Sequence, residues 1–207
     1  MKNEKKTAEM LSYVRGKYPE EQFEVLGPCG GHLGSNVSGI LVRAQHFPGK
    51  EVRVMRVESK GAVSYEDTYL GVKFEEETRD LLEARLRAAF GDAAVLYAAS
   101  VSACTRDGSA ETTLSEYLAD WSSHVRFSAV ITGAGAKDPA LVREEIMEIF
   151  RDLSVQGDLF FISDGPASSS LSDPEIRELI AGDSWDFSVS FWMERPGELA
   201  AYERRAH

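Results

Sequence analysis

Cysteine is scarce in this chain: Cys29 and Cys104 are the only two among 207 residues. Small proteins that depend on disulfides carry a far higher share of cysteine, so stability has to come from a hydrophobic core. Hydrophobic residues make up 43% of the chain, and a domain of this size buries about 70% of its unfolded surface. The sequence leaves open whether the two cysteines pair.

Long apolar runs are also missing. No stretch reaches the roughly 18 consecutive apolar residues that a membrane helix requires. The charged residues 1–6 are not followed by the apolar segment of a secretory leader. We therefore expect no membrane insertion and a cytoplasmic location for the chain as written. An extracytoplasmic location is the alternative if a leader has been removed.

Positive charge is in deficit, because 23 Lys and Arg face 34 Asp and Glu, for a net charge of −11. Proteins that bind nucleic acids present clustered Lys and Arg to the phosphates, so we expect no nucleic acid as a partner. An anionic membrane surface is disfavoured for the same reason. The acidic balance fits a basic protein partner, although it also serves solubility alone.

Hydrophobic periodicity predicts a mixture of helices and strands. The predicted helices cover about residues 7–18, 75–90, 113–122, 139–153 and 173–182. The predicted strands or extended segments cover about residues 23–26, 40–45, 52–57, 63–72, 94–101, 125–132, 158–163 and 187–193, with a polar tail after the last. A Pro-Gly turn at residues 48–49 predicts that the second and third strands form a hairpin.

The strands alternate apolar and polar residues, as Phe187, Val189 and Phe191 do with Ser188 and Ser190. Such strands bury one face, whereas those of a doubly wound parallel sheet are apolar on both. The sequence therefore predicts an α+β fold with mainly antiparallel sheets and helices packed on one face. Two similar α+β lobes, residues 1–103 and 104–207, are expected, and one continuous domain is the alternative.

Local catalytic motifs are missing, which favours a non-enzymatic function. The most unusual segment is the glycine-rich stretch of residues 27–36, which contains Cys29 and His32. Their Cys-x-x-His spacing is half of a zinc site, and a structural site requires four ligands. We therefore predict neither a metal nor a cofactor, and keep Cys29 and His32 as a candidate pocket.

Two further places are candidate interaction patches. Tyr65, Asp67 and Tyr69 precede the acidic start of the helix predicted at 75–90. Trp192 lies on the polar face of the strand predicted at 187–193, where an exposed tryptophan is suited to anchor a partner protein.

Three segments in the first half of the chain stand out: Leu11-Ser12-Tyr13, Phe23-Glu24-Val25, and Tyr65-Glu66-Asp67-Thr68-Tyr69-Leu70 running into Lys73-Phe74-Glu75. Together they resemble a group of uncharacterised proteins from Gram-positive bacteria. Several of those proteins look secreted or lipid-anchored, and this chain departs from them in having no leader. The resemblance implies no activity and assigns no functional residue.

The sequence thus favours a non-enzymatic binding or interaction protein with an acidic surface. An immunity-like or inhibitor-like protein that masks a basic partner is one concrete version. An enzyme of unknown class, with its site near residues 27–36, is one alternative. An extracytoplasmic ligand-binding module is the other.

Overall fold

The computed structural model describes residues 2–30, 36–100, 107–120, 125–133, 139–162, 171–181 and 185–206. Its helices are α1 (Lys2–Lys17), α2 (Tyr69–Lys73), α3 (Glu75–Phe90), α4 (Leu114–Ala119), α5 (Pro139–Ile149) and α6 (Asp173–Ala181). Its strands are β1 (Phe23–Cys29), β2 (Val37–Ala44), β3 (Glu51–Ser59), β4 (Ala62–Asp67), β5 (Ala94–Ser100), β6 (Val125–Thr132), β7 (Val155–Ile162), β8 (Phe187–Arg195) and β9 (Glu198–Ala206).

The α+β class and the mainly antiparallel sheets are confirmed, and the chain forms two compact units. Unit 1 consists of Met1–Glu75 and Ser102–Tyr117, and unit 2 of Glu76–Val101 and Leu118–His207. The units are therefore interleaved in sequence, because α3 and β5 belong with the later strands. A division into lobes 1–103 and 104–207 stays a prediction about separate folding.

Unit 1 is built on a four-stranded antiparallel sheet with the order β1-β2-β3-β4. Helix α1 buries Met10 and Val14, and Tyr18, directly after the helix, continues their helical spacing and is also buried. On β2 and β3, Val42 pairs with Val52, and both are fully buried. The β2–β3 pair confirms the predicted hairpin.

The β3–β4 hairpin closes through Lys60 and Gly61, whose φ angles are 51° and 83°. Two positive φ angles in a two-residue loop define the type I′ turn, whose twist matches that of the paired strands. The extended segment predicted at 63–72 is only partly extended, since β4 ends at Asp67 and α2 follows. At the start of this helix, Asp67 Oδ1 accepts the Tyr69 N–H at 3.0 Å, which satisfies one of the backbone N–H groups that a helix start leaves without an intrahelical partner.

Unit 2 is built on a five-stranded sheet with the order β5-β6-β7-β8-β9. Only β6 and β7 run parallel, with α5 between them in sequence, and the other pairs are antiparallel. On one face, the rings of Phe127, Phe150 and Phe191 pack together, with centroids 5.3 to 5.8 Å apart. Phe127 and Phe191 pair with Gly157 from either side, so the rings occupy the space above a residue without a side chain.

Helices also reach the other face of this sheet. Val130 and Ile162 form a buried cluster there with Ile176 of α6. In β6, Val130 and Ile131 are both fully buried although they point to opposite faces. In unit 2, α6 therefore covers part of the second face, beyond the one-sided covering that strand alternation predicts. Helices on both faces are common where strands run parallel.

The predicted polar tail is in fact strand β9. It pairs with β8 along Phe187–Arg195 after a turn that contains Gly197, with a φ of 78°. Most side chains of β9 are exposed, so its backbone pairing with β8 holds it in place and leaves little trace in the hydrophobic pattern. Across the part of the chain that the structure describes, no helix has the length and apolar character needed to cross a bilayer.

Candidate functional site

The Tyr65–Tyr69 segment lies in unit 1, and two of its predicted contact residues are interior. Asp67 is 0% and Tyr69 8% exposed, so the segment does not form the exposed patch that its polarity suggested. Tyr65 is half-buried, and its ring stacks on that of Tyr13 with centroids 5.2 Å apart. These residues instead belong to an internal polar network centred on two carboxylates.

The first carboxylate is Asp67, at the end of β4. Its Oδ2 accepts hydrogen bonds from the Tyr13 hydroxyl at 3.0 Å and from Lys17 Nζ at 2.7 Å. Its Oδ1 accepts the Tyr18 hydroxyl and the Tyr69 N–H, both at 3.0 Å. Because buried charges require a countercharge and complete hydrogen bonding, this group has the character of a structural anchor between α1 and β4.

The second carboxylate is Glu21, in the connection between α1 and β1, which is 6% exposed. Its Oε1 accepts the backbone N–H groups of Gln22 and Gln45 at 2.9 Å each, and that of His46 at 3.4 Å. Its Oε2 is 2.9 Å from His46 Nδ1 and 3.1 Å from the Tyr69 hydroxyl. Glu21 therefore holds the end of the β2 strand against the start of β1.

The contacts of Glu21 determine whether its carboxyl group is ionised and which ring nitrogen of His46 carries a proton. Burial alone raises the pKa of Glu21, but the hydrogen bonds led by that from His46 outweigh it, and the pKa is lowered overall. Glu21 is therefore an ionised carboxylate, which only accepts hydrogen bonds. His46 Nδ1 must then carry a proton, and Nε2 is the ring nitrogen left to act as base, acceptor or, when protonated, donor.

The two tyrosines next to the carboxylates stay neutral. Burial raises the pKa of Tyr69 well above its ordinary value, and the charge of Glu21 adds to the effect. Burial and the charge of Asp67 raise that of Tyr13 in the same way. Both hydroxyls therefore serve as hydrogen-bond donors to the buried carboxylates.

A cleft of about 180 Å³ opens beside the Glu21–His46 pair. The side chain of His46 is 67% exposed, whereas that of Glu21 is 3% exposed. The lining comprises Tyr18, Glu20, Glu21, His46, Tyr69, Lys73 and Ala110. Polar and titratable groups from four separate segments of unit 1 meet in this cleft, which we call the His46 cleft.

Trp192 lies on β8 in unit 2, between β7 and β9, where it pairs with Gln156 and Ala201. Its neighbour Phe191 points into the aromatic core, so alternation directs Trp192 to the opposite face. It is 36% exposed. By register this surface, called the Trp192 face below, comprises Gln156, Asp158, Ser190, Trp192, Ala201 and Glu203.

Of the predicted Cys29–His32 pocket, only Cys29 can be placed, because His32 lies outside the described residues. Cys29 ends β1 opposite Gly39 and is partly buried. Burial raises the pKa of its thiol, which disfavours the thiolate that a nucleophile needs. Cys104 also lies outside the described ranges. Within those ranges, no group of three or more His, Cys, Asp or Glu is arranged to hold a metal ion.

Sequence reasoning missed Glu21 and His46. They are 25 residues apart, and neither belongs to a local motif, since both occupy connections rather than helices or strands. The pair exists only because β1 and β2 are antiparallel neighbours, which places the residue before β1 next to the residues after β2. A signal for the pair was therefore available only from the strand register.

No family model matches the chain, and no curated protein matches it. Among solved structures, the chain is similar to a DUF5037 family protein from Ruminococcus gnavus ATCC 29149. The sequence identity is 11%, the similarity covers 93% of each chain, and the TM-score is 0.38. That name denotes a domain of unknown function, and a likeness this distant carries no argument about the activity of the present chain.

Proposed function

We propose that this chain is a non-enzymatic protein-binding protein that contacts its partner through the Trp192 face. The observation that carries the proposal is the exposure of Trp192 on a strand that is paired on both sides, by β7 and β9. An exposed tryptophan removes a large apolar area from water on binding and loses little side-chain entropy, so tryptophan is enriched among the residues that dominate interface energy.

The surroundings of Trp192 suit a contact surface. Ala201 and Ser190 are small, so the indole is accessible from above. The Ser190 hydroxyl donates to Asp158 Oδ1 at 2.6 Å and orients that carboxylate. Polar groups that surround one large aromatic side chain resemble the centre and rim of a protein–protein interface.

The partner that fits best is a basic protein. The net charge of −11 would attract a basic partner over long range and raise the association rate at low salt. On the Trp192 face itself, Asp158 is an acidic group, whereas Glu203 pairs with Arg205 on the same side of β9 at 3.1 Å. An immunity-like or inhibitor-like role, in which the chain masks a basic protein, is the concrete form of this proposal.

The test compares three forms of the protein as bait in the native host: the unchanged chain, Trp192→Ala, and Leu141→Ala as a control. Leu141 is 54% exposed on α5, so both substitutions remove an exposed apolar side chain. We expect a partner whose affinity falls about 30-fold or more with Trp192→Ala, since interface hot spots contribute about 2 kcal/mol or more. Recovery that is equal for all three baits, or independent of salt, would contradict the proposal.

The remaining alternatives keep their own tests. An enzyme with a site near residues 27–36 requires Cys29→Ser to change a detected activity. Membership in the group of uncharacterised Gram-positive proteins and a cytoplasmic location are part of the proposal. An extracytoplasmic ligand-binding module is the other alternative, and the native gene start tests it. Asp67 and Tyr69 are not proposed as partner contacts, because both are interior.

A further inference from the structure

We propose that unit 1 carries a separate small-ligand site, in which the His46 cleft binds a carboxylate or phosphate group between Lys73 and His46. This site is independent of the protein-binding proposal for unit 2. It follows from a count of the hydrogen-bonding groups that line the cleft.

The buried carboxylate of the cleft, Glu21, is fully used within the protein. The two oxygens of Glu21 already accept five donors, from Gln22, Gln45, His46 and Tyr69. A carboxylate offers about four lone-pair positions, so Glu21 is saturated and its charge is compensated. A cationic ligand would find no free oxygen on it.

Hydrogen-bond donors of Lys73 remain available in the cleft. Lys73 Nζ has three protons, and in the described part of the chain it makes one hydrogen bond, to the Ala110 carbonyl oxygen at 3.1 Å. Its ammonium also lies 4.8 Å from the centroid of the Phe74 ring, which fixes its direction. His46 Nε2 has no protein partner among the described residues, and on protonation it becomes a second donor.

Spare donors on Lys73 and His46, beside the saturated carboxylate of Glu21, favour a ligand group that only accepts hydrogen bonds. Carboxylates and phosphates are such groups, and charged hydrogen bonds are the stronger ones. Because Glu21 already occupies Nδ1, Nε2 is the ring nitrogen of His46 that is left for a ligand.

Two neighbouring charges oppose an anion and limit its affinity. Glu20 lines the cleft, and Glu111 is close enough for Lys73 to contribute to lowering its pKa, after its hydrogen bond with Ser109. Acidic groups farther from the cleft than the Debye length of about 8 Å are largely screened at physiological salt. The volume of about 180 Å³ lies below that of sites for drug-sized ligands, about 300 Å³ or more. The ligand is therefore a small carboxylate or phosphate compound.

The test uses the full chain with inorganic phosphate and acetate as separate probes and chloride at equal ionic strength as the control. The ring signals of His46 are followed by NMR and assigned by their loss in His46→Gln. We expect saturable shifts with at least one oxyanion and none with chloride. Calorimetry with the same probes should give a saturable binding isotherm for the oxyanion and none for chloride.

Lys73→Met removes the ammonium and keeps most of the apolar stem, and Lys60→Met is the matched control in the exposed β3–β4 turn. Lys73→Met should weaken binding about tenfold or more, as expected for one charged hydrogen bond, while Lys60→Met and Trp192→Ala leave it unchanged. A conserved backbone NMR spectrum verifies that the variant is folded. Shifts that stay linear with concentration, or equal weakening by the two lysine variants, would overturn the site.

Discussion

Substituting Asp67→Asn should destabilise unit 1 strongly, although the new side chain has nearly the same shape. Asp67 uses both oxygens: Oδ2 for Tyr13 and Lys17, and Oδ1 for Tyr18 and the Tyr69 N–H. Asparagine has one oxygen, so one of these two pairs of donors loses its acceptor in either orientation of the amide. The amide N–H groups would then face donors instead of acceptors.

The size of the effect follows from the burial of the pair. The side chains of Lys17 and Asp67 are 9% and 0% exposed, so the substitution leaves a largely buried ammonium without its countercharge. Breaking a buried ion pair on one side costs about 3–5 kcal/mol, and two lost hydrogen bonds of about 1 kcal/mol each are part of that sum. Because domains are stable by only about 5–15 kcal/mol, Asp67→Asn should bring unit 1 near its unfolding limit at ambient temperature.

Urea unfolding and amide hydrogen exchange together measure this change. The two tryptophans within the described ranges, Trp185 and Trp192, both fall in unit 2. Exchange protection of α1 and β4 should therefore report unit 1, and tryptophan fluorescence unit 2. Glu24→Gln is the control, because its pair with Arg43 is exposed and should contribute less than about 1 kcal/mol. A loss below about 1 kcal/mol for Asp67→Asn would refute the interpretation of Asp67 as a buried anchor.

Two further predictions follow from the described contacts. Because the pKa of folded Glu21 lies below its ordinary 4.5, its contribution to stability is fully present above that pH and is lost as the pH falls through the lower folded value. The free energy of unfolding, measured with urea at a series of pH values, should therefore fall less steeply toward acid pH for Glu21→Gln than for the unchanged chain. Identical slopes would contradict the lowered pKa of Glu21. Gly157→Ala places a Cβ 2.5 Å from the Phe191 ring and 2.7 Å from that of Phe127, and we expect a loss of about 1–3 kcal/mol by denaturation. Gly16→Ala in α1 meets nothing within 4 Å, so it should instead stabilise by about 0.5–1 kcal/mol, and equal effects of the two would argue against the packing described.

Local patterns in the sequence predicted those elements whose stability comes from side-chain burial. Helix α3 coincides with the prediction at 75–90 because Thr78, Leu82, Leu86 and Phe90 recur at helical spacing and are all buried. The hairpin of β2 and β3 followed from alternation and a turn. Strand β9 was missed because it is held by main-chain pairing with β8, and helix α2 because its start depends on the carboxylate of Asp67.

The candidate site residues likewise divide into those that a local pattern predicted and those that depend on distant contacts. The exposure of Trp192 was predictable from its position on the polar side of a strand, since only alternation was needed. The interior placement of Asp67 and Tyr69 was not, because a Tyr-rich acidic segment looks exposed until Lys17 and the hydroxyls of Tyr13 and Tyr18 are known to surround it. Glu21 and His46 required the register of β1 on β2, which no spacing along the chain encodes.

The interleaving of the two units has a consequence for how the chain emerges from the ribosome. Residues 76–101 are synthesised before unit 1 has received its last segment, Ser102–Tyr117, and before β6, the partner of β5, exists. At translation rates of about 5–20 residues per second, β5 therefore stays unpaired for a few seconds, with apolar residues such as Leu96 exposed. During synthesis, this interval is when nascent chains are most exposed to aggregation, and when chaperones would contribute most.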